Sequence, residues 1–120
     1  MDVVVLQGSP NRNGSTNMLA SEFVRGAEES GHRVMVYHAS SANVKPGIGC
    51  VKCGYDGPCV QSDGMAELRR ALLAADMVVF ATPLYYYGMT AQLKTIIDRF
   101  YAFSFKLTAI GAARGGVEQR

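Results

Sequence analysis

The chain has 120 residues, 48% of them apolar and 18% charged, with a formal net charge of +2. That length bounds it to one domain, and the composition is that of an ordinary globular core. The basic residues are scattered and form no run, which argues against a nucleic-acid partner and against a membrane surface.

The N-terminus reads Met1-Asp2-Val3-Val4-Val5-Leu6-Gln7-Gly8. It has an acidic second residue, no basic leader and too short an apolar stretch for a signal peptide or a membrane span. A cytoplasmic location is the expectation, and there Cys50, Cys53 and Cys59 would be thiols, inviting a metal or redox reading before a disulfide one. Asp2 to Leu6 is nearly continuous in β-branched residues, the pattern of a strand buried on both faces of a parallel sheet. After the polar loop Gly8-Ser9-Pro10-Asn11-Arg12-Asn13-Gly14-Ser15-Thr16-Asn17, apolar Leu19, Phe23 and Ala27 recur at i, i+4 and i+8, with Ala20 and Val24 beside them. Glu22, Arg25 and Glu29 lie opposite, so a helix with one apolar face is predicted, closed by Ser30-Gly31.

Arg33 to His38 alternates and predicts a strand nearer an edge. Ala39 to Gln61 is a long irregular connection, uncommon in a compact domain unless it acts as a lid or binding loop. A second helix carries Met65, Leu68, Leu72 and Ala75 on one stripe, with Ser62 or Asp63 as its cap. Asp76 to Ala81 is a third strand, followed by Ala81-Thr82-Pro83-Leu84-Tyr85-Tyr86-Tyr87-Gly88. A third helix presents Leu93, Ile96, Ile97, Phe100 and Tyr101, with Thr90 placed to cap its start.

This order of elements opens a doubly wound α/β domain, and right-handed crossovers place its strands in the order 2-1-3. The loops after strands 1 and 3 then flank the switch-point crevice where open α/β sheets bind ligands, a rule whose standing example is flavodoxin with its FMN. The first loop has the character of a phosphate cradle. A helix start leaves backbone N–H groups unpaired and carries partial positive charge. Gly14 permits close approach, Ser9, Ser15 and Thr16 add hydroxyls, and Arg12 is placed to screen charge at the rim. A plain capped turn would use the same residue types. Neither the triphosphate pattern Gly-x-x-x-x-Gly-Lys-Ser/Thr nor Gly-x-Gly-x-x-Gly is present. The second loop offers aromatic rings and backbone N–H groups beside Pro83, suited to the apolar faces and polar edge of a flavin ring, although three tyrosines at a strand end also serve as half-buried packing.

The ordered set Gly8-Ser9-Pro10, Asn13-Gly14-Ser15-Thr16, Lys45-Pro46, Gly49-Cys50-x-x-Cys53, Cys59, Asp63, Ala81-Thr82-Pro83-Leu84-Tyr85, Gln92-Leu93-Lys94 and Asp98-Arg99-Phe100 resembles the NADPH-dependent FMN reductase family, in its iron–sulfur flavoprotein branch. The resemblance runs from Met1 to about Leu107. It implies a flavodoxin-like fold over 1–120, FMN held noncovalently, and reduction of FMN or electron transfer from an NAD(P)H donor. By position, Ser9, Asn11, Ser15, Thr16 and Asn17 would hold the phosphate, and Pro83, Leu84, Tyr85, Tyr86 and Gly88 would line the ribityl chain and ring. Hydride would add at the flavin N5, so the chemistry is the cofactor's and no general acid or base is named.

Two departures from the family pattern shape the expectations. Gly47 stands where the branch has the first cysteine of its cluster motif, so Cys50, Cys53 and Cys59 supply three thiolates where a four-iron cluster takes four. A cluster-free chain is expected, a labile cluster being the alternative, and His38 and Asp63 read as a strand-edge residue and a helix cap in preference to ligands. The second departure is that no convincing fourth or fifth strand follows Phe103. The chain is therefore expected to be a shortened family member or a fragment, with strand 3 left as an apolar edge covered by a second copy, or an exchanged segment, in a homodimer or higher homo-oligomer. Three functions follow: an FMN-dependent oxidoreductase, an electron-transfer flavoprotein with a labile iron–sulfur cluster, or a cofactor-free remnant or assembly module. Asp98 and Arg99 are expected in solvated or capping roles.

Overall fold

A computed structural model describes residues 1–50 and 61–100. The elements are β1 (Asp2–Gln7), α1 (Ser15–Glu29), β2 (Arg33–His38), a single 3-10 turn (Ala39–Ser41), α2 (Met65–Ala74), β3 (Met77–Ala81) and α3 (Ala91–Asp98). The three strands form one parallel sheet in the order β2-β1-β3, as the crossover rule requires. Asp2 to Gln7 faces Arg33 to His38 on one side, and Val3 to Gln7 faces Met77 to Ala81 on the other.

A central strand has both neighbours and both faces covered, and Val3, Val4, Val5 and Leu6 are accordingly all buried. Val4 and Leu6 point into the main core with Met65, Leu68 and Leu72 of α2 and Leu93 and Ile96 of α3. Alternate residues Val3 and Val5 point the other way, and Val3 lines an open apolar groove with Phe23, Ala27 and Met77. The helices following β1 and β3 thus cover opposite faces, so the loops that precede them meet at one end of the sheet.

The inward stripe of α1 differs from the expected one. Its buried residue is Ala20, flanked by half-buried Val24 and Ala27, whereas Leu19 is 75% exposed and Phe23 41%. A stripe starting one residue earlier is turned by about 100° around the axis. The other two helices bury the expected Met65, Leu68 and Leu72 and the expected Leu93 and Ile96, while Tyr101 lies outside the described residues and the N-cap of α2 is Gly64, one residue after Asp63. The Asp63 carboxylate accepts from the Met65 N–H at 3.1 Å at the start of α2, and the Thr90 hydroxyl accepts from the Leu93 N–H at 3.2 Å at the start of α3.

Among the described residues, β3 pairs only with β1, and Met77 and Phe80 stand 44% and 48% exposed on it. The expected loss of a fourth and fifth strand concerns residues beyond Phe100, outside the described ones. Among the described residues no helix is long and apolar enough to cross a membrane.

Candidate functional site

The two loops are joined at their bases by two bonds, and a third braces the second loop. The Gly8 N–H donates to Ala81 O at 2.7 Å, the Thr90 hydroxyl donates to Gly8 O at 2.7 Å, and the Thr90 N–H donates to the Thr82 hydroxyl at 3.1 Å. Thr90 is fully buried, so these bonds are shielded from water. Gly8 sits in a tight space: a Cβ would lie 3.0 Å from both Leu93 Cβ and Thr90 Oγ1, so a larger residue would push its neighbours by a few tenths of an ångström.

The first loop is shaped by its own short side chains. Buried Gln7 accepts from the Ser9 N–H at 2.5 Å through Oε1 and donates through Nε2 to Asn17 Oδ1 at 3.3 Å. Ser9 Oγ accepts from the Asn11 N–H at 3.1 Å and lies 3.2 Å from Asn11 O, and Asn11 Oδ1 accepts from the Asn13 N–H at 3.0 Å. Ser9 and Asn11 therefore spend oxygens on the fold of the loop. The N-cap of α1 is Gly14, which has no side chain to cap with, and the first helical bond runs from Met18 N–H to Gly14 O at 3.2 Å. The N–H groups of Ser15, Thr16 and Asn17 consequently have no helical acceptor, and among the described residues no side chain replaces it. No acidic residue occupies the first turn. These open donors, with the hydroxyls of Ser15 and Thr16 beside them, are a donor set matched to a phosphate group. Arg12 does not lie over that set: its Nη2 donates to Ser41 Oγ at 2.7 Å, tying the loop to the turn after β2.

The second loop is a tight reversal. The Tyr85 N–H donates to Gly88 O at 2.8 Å and the Gly88 N–H returns to Tyr85 O at 3.0 Å. Tyr86 and Tyr87 have φ of +46° and +66°, so a two-residue turn of the type that favours Asn-Gly is made with two bulky side chains. Left-handed backbone at such residues is costly and concentrates where a site needs it. The turn raises Tyr86 and Tyr87 to 95% and 89% exposure, with their rings edge to face at 5.5 Å. Leu84 is also exposed, and Pro83 is half-buried at the strand exit. The N–H groups of Tyr85 and Gly88 are consumed by the reversal, which corrects the expectation that the whole Tyr85–Gly88 stretch presents free donors.

Of the three cysteines read as candidate cluster ligands, the structure describes one. Cys50 is a free, half-buried thiol, while Cys53 and Cys59 lie outside the described residues. Among the described residues no group of three His, Cys, Asp or Glu side chains gathers. Asp63 is committed elsewhere. Its Oδ2 accepts from Lys45 N–H and Arg99 Nη1, both at 2.9 Å, and its Oδ1 accepts from Met65 N–H at 3.1 Å and Arg99 Nη2 at 3.2 Å. These bonds, led by Arg99, hold the carboxyl down at about 2. His38 keeps a buried Nδ1 without a partner among the described residues, and burial, with Arg12 nearby, pushes its pKa down. Of the two residues expected in solvated or capping roles, Arg99 is the C-cap of α3 and is buried in that ion pair, whereas Asp98 is exposed and pairs with Lys94.

Sequence reasoning missed Gln7, Thr82 and the link from Thr90 to Gly8. Thr90 was legible as a helix cap, but a bond across 82 positions of chain carries no local signal.

Comparison with known proteins places these features in a family. The model of the NADPH-dependent FMN reductase family matches residues 1–120. The chain is 36% identical over 117 residues to an iron-sulfur flavoprotein of Archaeoglobus fulgidus, covering 98% of this chain and 53% of that protein. It is 30% identical over 128 residues to an iron-sulfur flavoprotein of Methanocaldococcus jannaschii, covering 99% and 66%. Among solved structures, a putative quinone reductase from Klebsiella pneumoniae aligns with a TM-score of 0.70 at 26% identity, over 86% of this chain and 46% of that one. An NAD(P)H:quinone oxidoreductase from Methanothermobacter marburgensis shares the fold, with a TM-score of 0.72 at 20% identity over 88% and 54%. The chain thus spans about half to two-thirds of the length of these relatives.

Proposed function

Since the chain belongs to the NADPH-dependent FMN reductase family, we propose that residues 1–120 form a single flavodoxin-like domain that binds FMN and serves its reduction by NAD(P)H or electron transfer through it. The observation that carries this reading is the uncapped start of α1, set beside an aromatic turn through the bonds at Gly8 and Thr90. A phosphate at Ser15, Thr16 and Asn17 would accept from their open N–H groups and from the two hydroxyls. Ser9 and Asn11 would act chiefly by holding the loop in shape. Pro83, Leu84, Tyr85, Tyr86 and Gly88 would line the ribityl chain and the ring, with exposed apolar area that the fold itself does not use.

When bound, FMN supplies the redox chemistry by accepting hydride at its N5. The chain's own part is to bind, orient and exclude water. Favourable charge at the helix start contributes about 0.3–1 kcal/mol toward an anion, or ~2 when partly buried. The tyrosine rings would give the flavin an apolar wall, for which aromatic pairs contribute about 0.5–1.5 kcal/mol beyond area burial. Self-association of the chain through the outer edge of β3 accords with its exposed Met77 and Phe80.

The test is a flavin titration of the full chain, comparing FMN with riboflavin, which lacks the phosphate. FMN is expected to bind at least about tenfold more tightly, corresponding to one charge-assisted contact set. Equal affinities would dismiss the phosphate assignment, and no uptake of either flavin would dismiss the cofactor.

A further inference from the structure

The two described ends of the connection between β2 and α2 are tied together in a neck. On one side run Ala42, Asn43, Lys45 and Pro46, and on the other Gln61, Asp63 and Gly64. The Gly64 N–H donates to Asn43 O at 2.9 Å, and a Cβ on Gly64 would fall 1.9 Å from Ala42 O, so only glycine permits this approach. Asn43 turns the chain with φ of +55°. Gln61 Nε2 donates to Pro46 O at 3.0 Å.

The buried ion pair grips this neck at Lys45, through its backbone and not its side chain. Asp63 Oδ2 accepts from the Lys45 N–H at 2.9 Å, and Arg99 Nη1 donates to Lys45 O at 2.8 Å while also bonding Asp63. The side chains of Arg99 and Asp63 are only 4% and 2% exposed. Burying both charges is expensive, and well-packed apolar residues of the same volume would often serve stability as well or better. What apolar residues cannot do is hold both polar groups of one chosen residue. A planar guanidinium has the fork geometry to bond Asp63 twice and Lys45 O at once, which an ammonium lacks.

Arg99 is also the C-cap of α3, the helix whose N-cap, Thr90, bonds Gly8 O between the two loops. One eight-residue helix, about 12 Å long at 1.5 Å per residue, therefore joins the loop junction to the neck. Cys50 follows Lys45 by five residues.

We propose that Asp63 and Arg99 are positioning residues for the segment Lys45 to Cys50, fastening its start to the far end of α3 and thereby setting the accessibility of the half-buried Cys50 thiol. This role goes beyond flavin binding and does not depend on it.

The experiment measures iodoacetamide labelling of Cys50, resolved by peptide mass spectrometry, with hydrogen exchange at the Lys45 amide, in the wild-type full chain, Asp63→Asn and Arg99→Lys. Amides of Val4 and Leu6 report whether the sheet remains folded. Both variants are expected to lose Lys45 protection and to label Cys50 at least about fivefold faster while Val4 and Leu6 stay protected, as local opening predicts. Arg99→Lys keeps the charge and loses the fork, so it is expected to behave like Asp63→Asn and not like wild type. Labelling of Cys50 unchanged within twofold in folded variants would overturn the proposal, whatever happens to the melting temperature. If a variant unfolds, wild type in low urea decides: Lys45 exchange and Cys50 labelling are expected to open together below global unfolding, and separate openings would overturn it.

Discussion

The loop after β1 and the loop after β3 meet at the same buried threonine but are built on opposite plans. The first is made by short polar side chains bonding the local backbone, has no residue at positive φ from Ser9 to Asn17, and leaves the helix that follows it uncapped. The second precedes a helix whose start is capped by Thr90, and it places left-handed backbone at Tyr86 and Tyr87. One loop holds hydrogen-bonding capacity in reserve and the other holds apolar area. A ligand with an anionic end and a flat aromatic end would use both reserves, which neither loop spends on the fold.

The largest effect is expected where the plans meet. Thr90→Val keeps the volume but strips the hydroxyl, leaving Gly8 O and the Leu93 N–H without their bonds. Unpaired buried groups cost about 1–3 kcal/mol each and a lost cap about 1, so a loss of about 3 kcal/mol is expected in urea unfolding. Flavin affinity should fall with it, since both loops lose their common reference. If affinity stays while stability drops, the loops are set independently and the comparison loses its centre.

Acid should separate the loops from the connection. Asp63 is held at about 2 against an ordinary 3.8, chiefly by the Arg99 hydrogen bonds, with the Lys45 and Met65 N–H groups adding. A depressed folded-state pKa stabilises the fold above the unfolded value, and that contribution is lost as pH falls from 3.8 toward 2, amounting to about 2 kcal/mol. Neither loop contains a carboxylate. Urea unfolding at pH 5 and pH 2.5 is expected to show the loss in wild type and to show much less of it in Asp63→Asn.

A smaller effect sharpens the plan of the first loop. Gly14→Asp places a carboxylate at the N-cap, where φ of −90° suits any residue and the nearest atom to a new Cβ is the flexible Asn11 amide at 3.2 Å. The new side chain would take up the open N–H groups and repel an anion. Stability should rise by a few tenths of a kcal/mol, as expected for a better cap than glycine, while FMN affinity falls about tenfold. Riboflavin affinity should stay level, which isolates the phosphate contribution.

Most of the sheet was legible because β-branched runs with intervening helical periods leave few alternatives once right-handed crossovers are required. The inward face of α1 was misjudged because hydrophobicity favours Leu19 and Phe23, whereas close packing favoured Ala20, Val24 and Ala27. For Arg99 the capping role was legible, since it closes α3, but its burial was not, because that depends on Asp63, 36 positions away. Ser15, Thr16 and Asn17 were legible as a helix start rich in donors, whereas the absence of a side-chain cap at Gly14 emerged only from the structure. The reversal at Tyr86 and Tyr87 was not, since the local sequence lacks the Asn-Gly or Asp-Gly signal that announces such a turn.

That mismatch between residue type and backbone gives the last prediction. Asn and Gly tolerate positive φ, so replacing Tyr86 by Asn and Tyr87 by Gly should relieve strain and add about 1 kcal/mol of stability. The reversal would persist, because the bonds between Tyr85 and Gly88 use neither side chain. If the rings serve only as packing, nothing else should change, yet at 95% and 89% exposure they pack against little besides each other. Flavin affinity is instead expected to fall by about three- to tenfold, in line with the loss of one aromatic contact. Riboflavin and FMN should lose it equally, because the ring wall does not sense the phosphate, in contrast to Gly14→Asp, which should affect FMN alone. Two variants whose losses divide in this way would assign the two ends of the ligand to the two loops. Gains in stability without any change in affinity would leave the strained tyrosines without a role in binding.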